Sequence, residues 1–351
     1  MRLGILLSCA LLAASGCRGE GGGGGGDDDD TMIDAGEDPT PDAPENTNTA
    51  CDPYLARPAV PEVLVGPEGL EGALLGRIDA ARSTIDVLIY ELTRPSFVTA
   101  LIAAHDRGVA VRVLLDGDLQ QNGDPRAQLE NAGIEVKAGP ANFSYYHGKA
   151  LLFDGREAVI MSANLVWAHF EITRNYAVVD SDPDDVADVA AIFAADWAGT
   201  ASPDVACTRL IVSPVNSRTR LLGLVNGATS KLSLAVMSLK DDAIVAAVKQ
   251  RKAAGVDVRV LLPDPNWIPD AVGMAQDLAG AGVPVKYFRA YDLHAKLIIA
   301  DDATAFVGSE NMTWTSLNKN REVGVFVTEE AARQVIVNQF ETDWSRGWPA
   351  P

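Results

Sequence analysis

Two histidine–lysine pairs stand out among the reactive side chains, His147-Gly-Lys149 and His294-Ala-Lys296. Each is followed at the same intervals by an aspartate, a serine and an asparagine: Asp154, Ser162 and Asn164 after the first, Asp301, Ser309 and Asn311 after the second. On a strand, residues two apart point to one face, so each histidine projects together with its lysine. Brought into one pocket, the two pairs offer two imidazoles and two ammonium groups. Lysines beside histidines repel a divalent cation, and the chain has only four histidines, the others being His105 and His169. Metal coordination is therefore a poor reading, and no metal or other cofactor is expected. What the set suits is a phosphodiester. The ammonium groups would neutralise non-bridging oxygens, and the amides of Asn164 and Asn311 and the hydroxyls of Ser162 and Ser309 would add hydrogen bonds. One imidazole could attack phosphorus while the other protonates the departing oxygen, with the roles reversed when water is activated. A single buried histidine is more often structural, and His105 and His169 are read in that way.

The two sets are copies of one segment. His147 to Asn164 return as His294 to Asn311 at a constant shift of 147, and so do Arg174 as Arg321, Phe193 as Phe340, Asp196 as Asp343, and Trp197 as Trp344. Register held over this distance marks a tandem duplication. Each copy must carry elements that position its pair. In the first, helical periodicity at Leu70, Leu74 and Ile78 leads to a strand over 85–91. A helix near 97–105, strands over 109–115, 147–154 and 176–179, and a helix over 184–197 follow. The second repeats this with strands over 232–238, 256–262, 293–300 and 323–327, a helix over 244–254 and a closing helix over 329–344. Alternating strands and helices imply an α/β fold with a largely parallel sheet. The expected architecture is two tandem α/β sandwich halves, 51–205 and 206–351, related by a pseudo-twofold axis, with a single site from both. Because both motifs lie in one chain, a monomer suffices. Trp197 and Trp344 are read as core, Glu91 as solvated, and Tyr145, Tyr146, Trp167, Tyr291 and Trp314 as packing or rim residues near the pocket mouth.

The pattern H-x-K-x4-D-x6-G-S-x-N resembles the phospholipase D superfamily, over roughly residues 62–346. The second copy matches at every position (His294, Lys296, Asp301, Gly308, Ser309, Asn311), while the first has Met161 in place of the glycine. The resemblance implies phospholipase D-like halves, a metal-independent reaction through a covalent phosphohistidine, and a site at the seam. By it His147 is the nucleophile and His294 the general acid and then base, although the near-symmetric sequence also supports the reverse order. An attacking imidazole needs its second nitrogen held by an acceptor. Glu322 looks like the family's acidic residue for this, and the equivalent Asn175 offers only an amide oxygen. Asp154 and Asp301 are read as structural, each fixing a turn or an ion pair. The implied substrate is a phospholipid. A nuclease of the same chemistry acting on DNA or RNA, and a weakly active or non-catalytic phosphate-binding module, are the alternatives.

Composition narrows these. The 351 residues carry a formal charge of −19, and beyond residue 50 there are 38 acidic and 27 basic side chains. Such a surface lacks the basic footprint that holds long nucleic acid, so any anionic substrate needs a local cluster of positive charge. Residues 1–17 read as a leader: Arg2, an apolar stretch from Leu3 to Ala14, then Ala14-Ser15-Gly16-Cys17. This looks like the lipobox of a bacterial lipoprotein, with Cys17 as the lipidated residue; an ordinary secretory leader is the competing reading. Residues 18–50, rich in Gly, Asp, Pro and Thr, read as a disordered tether, reaching roughly 30 Å in root-mean-square terms. The expected location is the cell envelope, outside the cytoplasm, anchored to a membrane through lipid. There a disulfide between Cys51 and Cys207 can form, the alternative being two separate thiols.

Overall fold

The computed structural model describes residues 52–203 and 208–350. The leader with Cys17, the tether, Cys51 and Cys207 lie outside the described residues.

In the first half, β1 (Glu62–Gly66), α1 (Leu70–Ala80), β2 (Thr84–Ile89), α2 (Pro95–Asp106), β3 (Ala110–Leu115), α3 (Gly123–Asn131) and β4 (Glu135–Ala138) precede the first motif. Then come β5 (Lys149–Phe153), β6 (Glu157–Met161), α4 (Trp167–Glu171), β7 (Thr173–Asp180) and α5 (Pro183–Ala198). The second half repeats the series as β8 (Leu210–Ser213), α6 (Ser217–Gly227), β9 (Lys231–Val236), α7 (Asp242–Ala253), β10 (Asp257–Pro263), α8 (Ala271–Gly280) and β11 (Val285–Phe288). It continues with β12 (Asp292–Leu293), β13 (Lys296–Ala300), β14 (Thr304–Gly308), α9 (Trp314–Asn318), β15 (Glu322–Val327), α10 (Glu330–Arg346) and β16 (Trp348–Pro349). One sheet runs β1-β7-β6-β5-β2-β3-β4, and the other runs β16-β11-β10-β9-β13-β14-β15-β8.

The largely parallel sheet expected from the sequence is not what forms. Parallel pairing is confined to β2-β3-β4, β9-β10-β11 and the short β12 against β7, and the remaining pairs of the two sheets are antiparallel. The tight turns that join β5 to β6 and β13 to β14 force antiparallel pairing there. The short apolar runs Glu157–Met161 and Thr304–Gly308, with no turn signal but Asp154-Gly155 or Asp301-Asp302, gave little warning of β6 and β14.

Those turns explain the motif aspartates. Asp154 and Asp301 adopt positive φ (55° and 56°), a conformation that aspartate tolerates better than most residues. The Asp154 carboxylate accepts the N–H groups of Arg82, Ser83 and Thr84 and the Ser83 hydroxyl. Asp301 does the same with Thr229, Ser230 and Lys231. Although burial works the other way, these donors hold the Asp154 carboxyl down at about 2. Each aspartate thus ties its hairpin to the loop entering β2 or β9, at the far end of the strand from the histidine.

Alternation along β2 shows the layering. Val87 and Ile89 face α1 and α2, with Leu74, Ile78, Phe97 and Leu101, whereas Leu88 faces the opposite sheet. The second sheet mirrors this with α6, α7 and α8 outside. Between the sheets lies one shared core. It takes Ile160, Tyr176 and Val178 from the first half, Val307, Val323 and Val325 from the second, and the apolar faces of α5 and α10. Trp197 and Trp344, expected in the core, are only half-buried there; Lys137 and Lys286 cap their rings at 4.3 and 4.7 Å.

Two buried ion pairs cross this seam in mirror fashion. Arg174 of β7 meets Asp343 of α10 (2.9 Å), and Arg321 meets Asp196 of α5 (2.8 Å). Burial holds both aspartates above the usual carboxylate range even beside the guanidinium groups. Desolvation offsets much of such a pair's attraction, so its main effect is on alignment. Removing one partner strands a buried charge. Asp196→Ala is expected to lower stability by about 3–5 kcal/mol in urea titrations, whereas Arg321→Met with Asp196→Leu costs far less. Equal losses in the single and double variants would contradict an alignment role.

Candidate active site

The two histidines stand just ahead of their strands and not within them, as the sequence reading had placed them. His147 precedes β5, which begins at Lys149, and His294 lies between β12 and β13. What holds them is the other half. Residues 144–147 run alongside 319–321: Ser144 N–H donates to the Lys319 carbonyl, Arg321 N–H to Tyr145, and His147 N–H to Arg321 (2.9 Å). In the mirror arrangement β12 pairs with the start of β7, and the His294 N–H donates to the Arg174 carbonyl (3.2 Å). The residue after each of these arginines is Glu322 or Asn175, so the backbone register delivers it to the opposite histidine.

His147 Nδ1 lies 2.8 Å from both oxygens of Glu322. His294 Nδ1 lies 2.9 Å from Asn175 Oδ1. With Nδ1–H donating in each ring, Nε2 is the nitrogen with chemistry to offer. Glu322 is itself fixed by the Ser316 hydroxyl (2.7 Å) and the Asn320 amide (3.1 Å). Burial would raise its carboxyl, but His147 and Lys149 more than offset this and hold it below its ordinary value. On the other side, Asn175 Oδ1 accepts the Ser162 hydroxyl (2.8 Å), and its amide donates to Thr173 Oγ1 (2.6 Å). Lys149 Nζ donates to the His147 carbonyl (2.6 Å). Lys296 Nζ lies 2.9 Å from His294 Nε2 and donates to that residue's carbonyl (3.1 Å). Tyr90 packs edge-on to His147, with centroids 4.8 Å apart. The arrangement gathers one carboxylate-backed imidazole, one amide-backed imidazole and two buried ammonium groups, which suits attack on a phosphoryl centre with neutralisation of its oxygens.

Asn164 and Asn311 are buried, and among the described residues their side-chain oxygens have no hydrogen-bond partner. Ser162 and Ser309 sit one layer back: each hydroxyl accepts from a strand N–H, of Tyr176 (3.1 Å) and Val323 (3.0 Å), so they brace Asn175 and the start of β15 from behind. Tyr146 is core, its hydroxyl on Asp196 (3.0 Å). Trp167 is exposed, with 55% of its surface accessible, and Trp314 is half-buried.

Two readings change. His169, taken from the sequence as an ordinary structural histidine, packs its ring against His294 with centroids 4.1 Å apart. The equivalent residue of the second half, Ser316, holds Glu322, a relation that only the packed structure shows. Met161, marked as a departure in the motif, belongs to the outer core of its half and not to the site. Its counterpart Gly308 makes room for the buried carboxyl of Glu310, which a Cβ at Gly308 or Gly324 would strike. The first half has Met161, Ala163 and Ala177 at these three places, a different filling of the same space. Glu310 was overlooked in the sequence because it occupies the variable position of the motif.

The fold is that of paired phospholipase D-like halves. Both match a family model described as "Cardiolipin synthase, PLD-like domain", at residues 74–197 and 221–344. The chain belongs to this family and is a phosphodiesterase-type enzyme. It is similar to "Cardiolipin synthase A" of Pseudomonas entomophila, with 22% identity covering 84% of this chain and 70% of that protein. It is also similar to "Cardiolipin synthase" of Clostridium perfringens, with 32% identity but over only 29% of this chain and 22% of that one. A solved phosphatidylserine synthase from Haemophilus influenzae shares the fold, with a TM-score of 0.66, 12% identity, and 83% of this chain and 88% of that one covered.

Burial, and after it the Glu322 carboxylate, push the Glu310 carboxyl well above its usual range. The folded protein therefore keeps a proton that the unfolded chain has released, and stability falls as pH rises above the ordinary carboxylate value. Glu310→Gln is expected to flatten this decline in denaturant titrations carried upward from about pH 4.3, the free glutamate value. An unchanged slope would show that Glu310 is not the group responsible.

Proposed function

We propose that the chain is a phospholipase D-type enzyme of the cell envelope that hydrolyses phospholipid phosphodiesters through a phosphohistidine on His147. The observation that carries the reading is the buried contact between His147 Nδ1 and the Glu322 carboxylate. It fixes the tautomer that leaves Nε2 nucleophilic and stabilises the positive charge the ring acquires on attack. His294, backed by a neutral amide, suits the acid–base partner. In the first step His147 Nε2 bonds to phosphorus, the P–O bond to the head group breaks, and His294 Nε2 gives that oxygen its proton. In the second, His294 takes a proton from water, whose oxygen displaces His147 to release phosphatidate. Lys149 and Lys296 neutralise the phosphoryl oxygens, with the amides of Asn164 and Asn311 as further donors. In this scheme the ammonium groups are the source of charge.

Lipid is favoured over nucleic acid by the acidic chain and by the relatives' names. No described helix is long and apolar enough to cross a membrane; the lipobox-like Cys17 would supply the anchor. Those relatives are named synthases, which favours a second reading at one step: an alcohol replaces water as the acceptor, giving a new diester from the same intermediate.

The test is an assay in chelator of the purified protein on mixed phospholipid vesicles and on single-stranded DNA, with and without added glycerol. Head-group release is expected, lost in His147→Ala and His294→Ala and lowered by about 10²-fold or more in Glu322→Gln. An acid-labile phosphoryl adduct should map to His147. DNA cleavage without lipid turnover, or activity abolished by chelator, would overturn the reading. Phosphatidylglycerol made in preference to phosphatidate would replace hydrolysis with transfer.

A further inference from the structure

The two histidines are held by different means, and the difference extends over three matched positions. Around His147 these are Ser316, Asn320 and Glu322, whose two polar side chains hydrogen-bond the carboxylate. Around His294 they are His169, Thr173 and Asn175. Here Asn175 leans on Thr173 (2.6 Å), and the place of Ser316 is taken by an imidazole that touches Asn175's client directly. His169 is buried, with 7% of its surface accessible, and its ring lies 4.1 Å from that of His294, centroid to centroid, at an interplanar angle of 34°. Its Nδ1 accepts the backbone N–H of Asn164 (2.6 Å). That hydrogen bond fixes His169 as the neutral tautomer with its proton on Nε2, because protonating Nδ1 would break it. One neutral ring therefore bridges Asn164 of the first half and His294 of the second.

We infer that His169 is a positioning residue for His294, taking over by a close tilted ring contact the part that a carboxylate plays for His147. The inference rests on the two-step reaction proposed above. An amide oxygen sets the tautomer of His294 but adds little for a charged ring, and Lys296 Nζ lies 2.9 Å from the nitrogen that must carry the proton. A neutral aromatic face against the imidazolium is attracted to it without adding a competing charge. The contact also restrains the plane of the His294 ring, and with it the direction of Nε2. His169 accordingly matters where a proton must be delivered or withdrawn, and not where His147 attacks.

That separation is measurable, because nitrophenolate leaves without a proton and an alkyl head group does not. The full chain and its His169→Ser variant, which copies Ser316, are compared on phosphatidylglycerol vesicles and on bis(p-nitrophenyl) phosphate. With Ser, kcat on the vesicles is expected to fall by about 10- to 100-fold, part of the 10²–10⁴ that general acid–base catalysis supplies, with KM within about twofold. First-turnover release of nitrophenolate in stopped flow should stay near the wild-type rate. His169→Phe, which keeps a ring there, should recover most of the loss. Proportional losses on both substrates would mean that His169 only supports the fold, and no loss on either, or equal loss with Phe and Ser, would also overturn the inference. Wild-type protein that turns over neither substrate would instead overturn the proposed function itself.

Discussion

The site depends on an exchange between the halves at the start of each motif strand. Neither half can hold its own histidine: the backbone of 144–147 is completed by 319–321, and that of 292–294 by 172–174. The same exchange carries Arg321 to Asp196 and Arg174 to Asp343, and it brings Glu322 and Asn175 to the histidines. Alignment of the two sheets and activation of the imidazoles are therefore one event. Buried charge that would be costly in either half alone is matched only when both are docked.

Duplication explains why the exchange is symmetric, and divergence explains why the chemistry need not be. The backbone contacts, the arginine–aspartate pairs and the Asp154 and Asp301 turns are kept in both copies. The groups that touch the histidines are not: a carboxylate with two donors stands on one side, an amide and a tilted ring on the other. A reaction that needs one nucleophile and one acid–base partner is better served by such inequality than by two equal imidazoles. The Met161 substitution lies outside this division, being a repacking of the volume that Gly308, Gly324 and Glu310 occupy in the second copy.

Much of the arrangement is legible in the chain itself. The shift of 147 identifies the repeat, and H-x-K with its downstream Asp, Ser and Asn identifies the residues and the phosphodiester chemistry. Helices α1, α2, α5, α7 and α10 follow from periodicity, because their apolar stripes are long enough to be read. The strands β6 and β14, the edge strands and the sheet's antiparallel majority were not legible. Short apolar runs do not report their partners, and pairing direction follows from connections that composition barely marks.

What the sequence by itself determined is local chemistry repeated in register: which side chains could act, that there are two of each, and that one copy has an acid where the other has an amide. What only the tertiary structure decided is who serves whom. Glu322 lies 175 residues from His147, and Asn175 lies 119 from His294. A pattern along the chain cannot tell a residue that serves its own half from one that serves the other. His169 and Glu310 show the same limit: a ring contact and a carboxyl in a glycine-lined slot are relations between surfaces, which exist only once the sheets have packed.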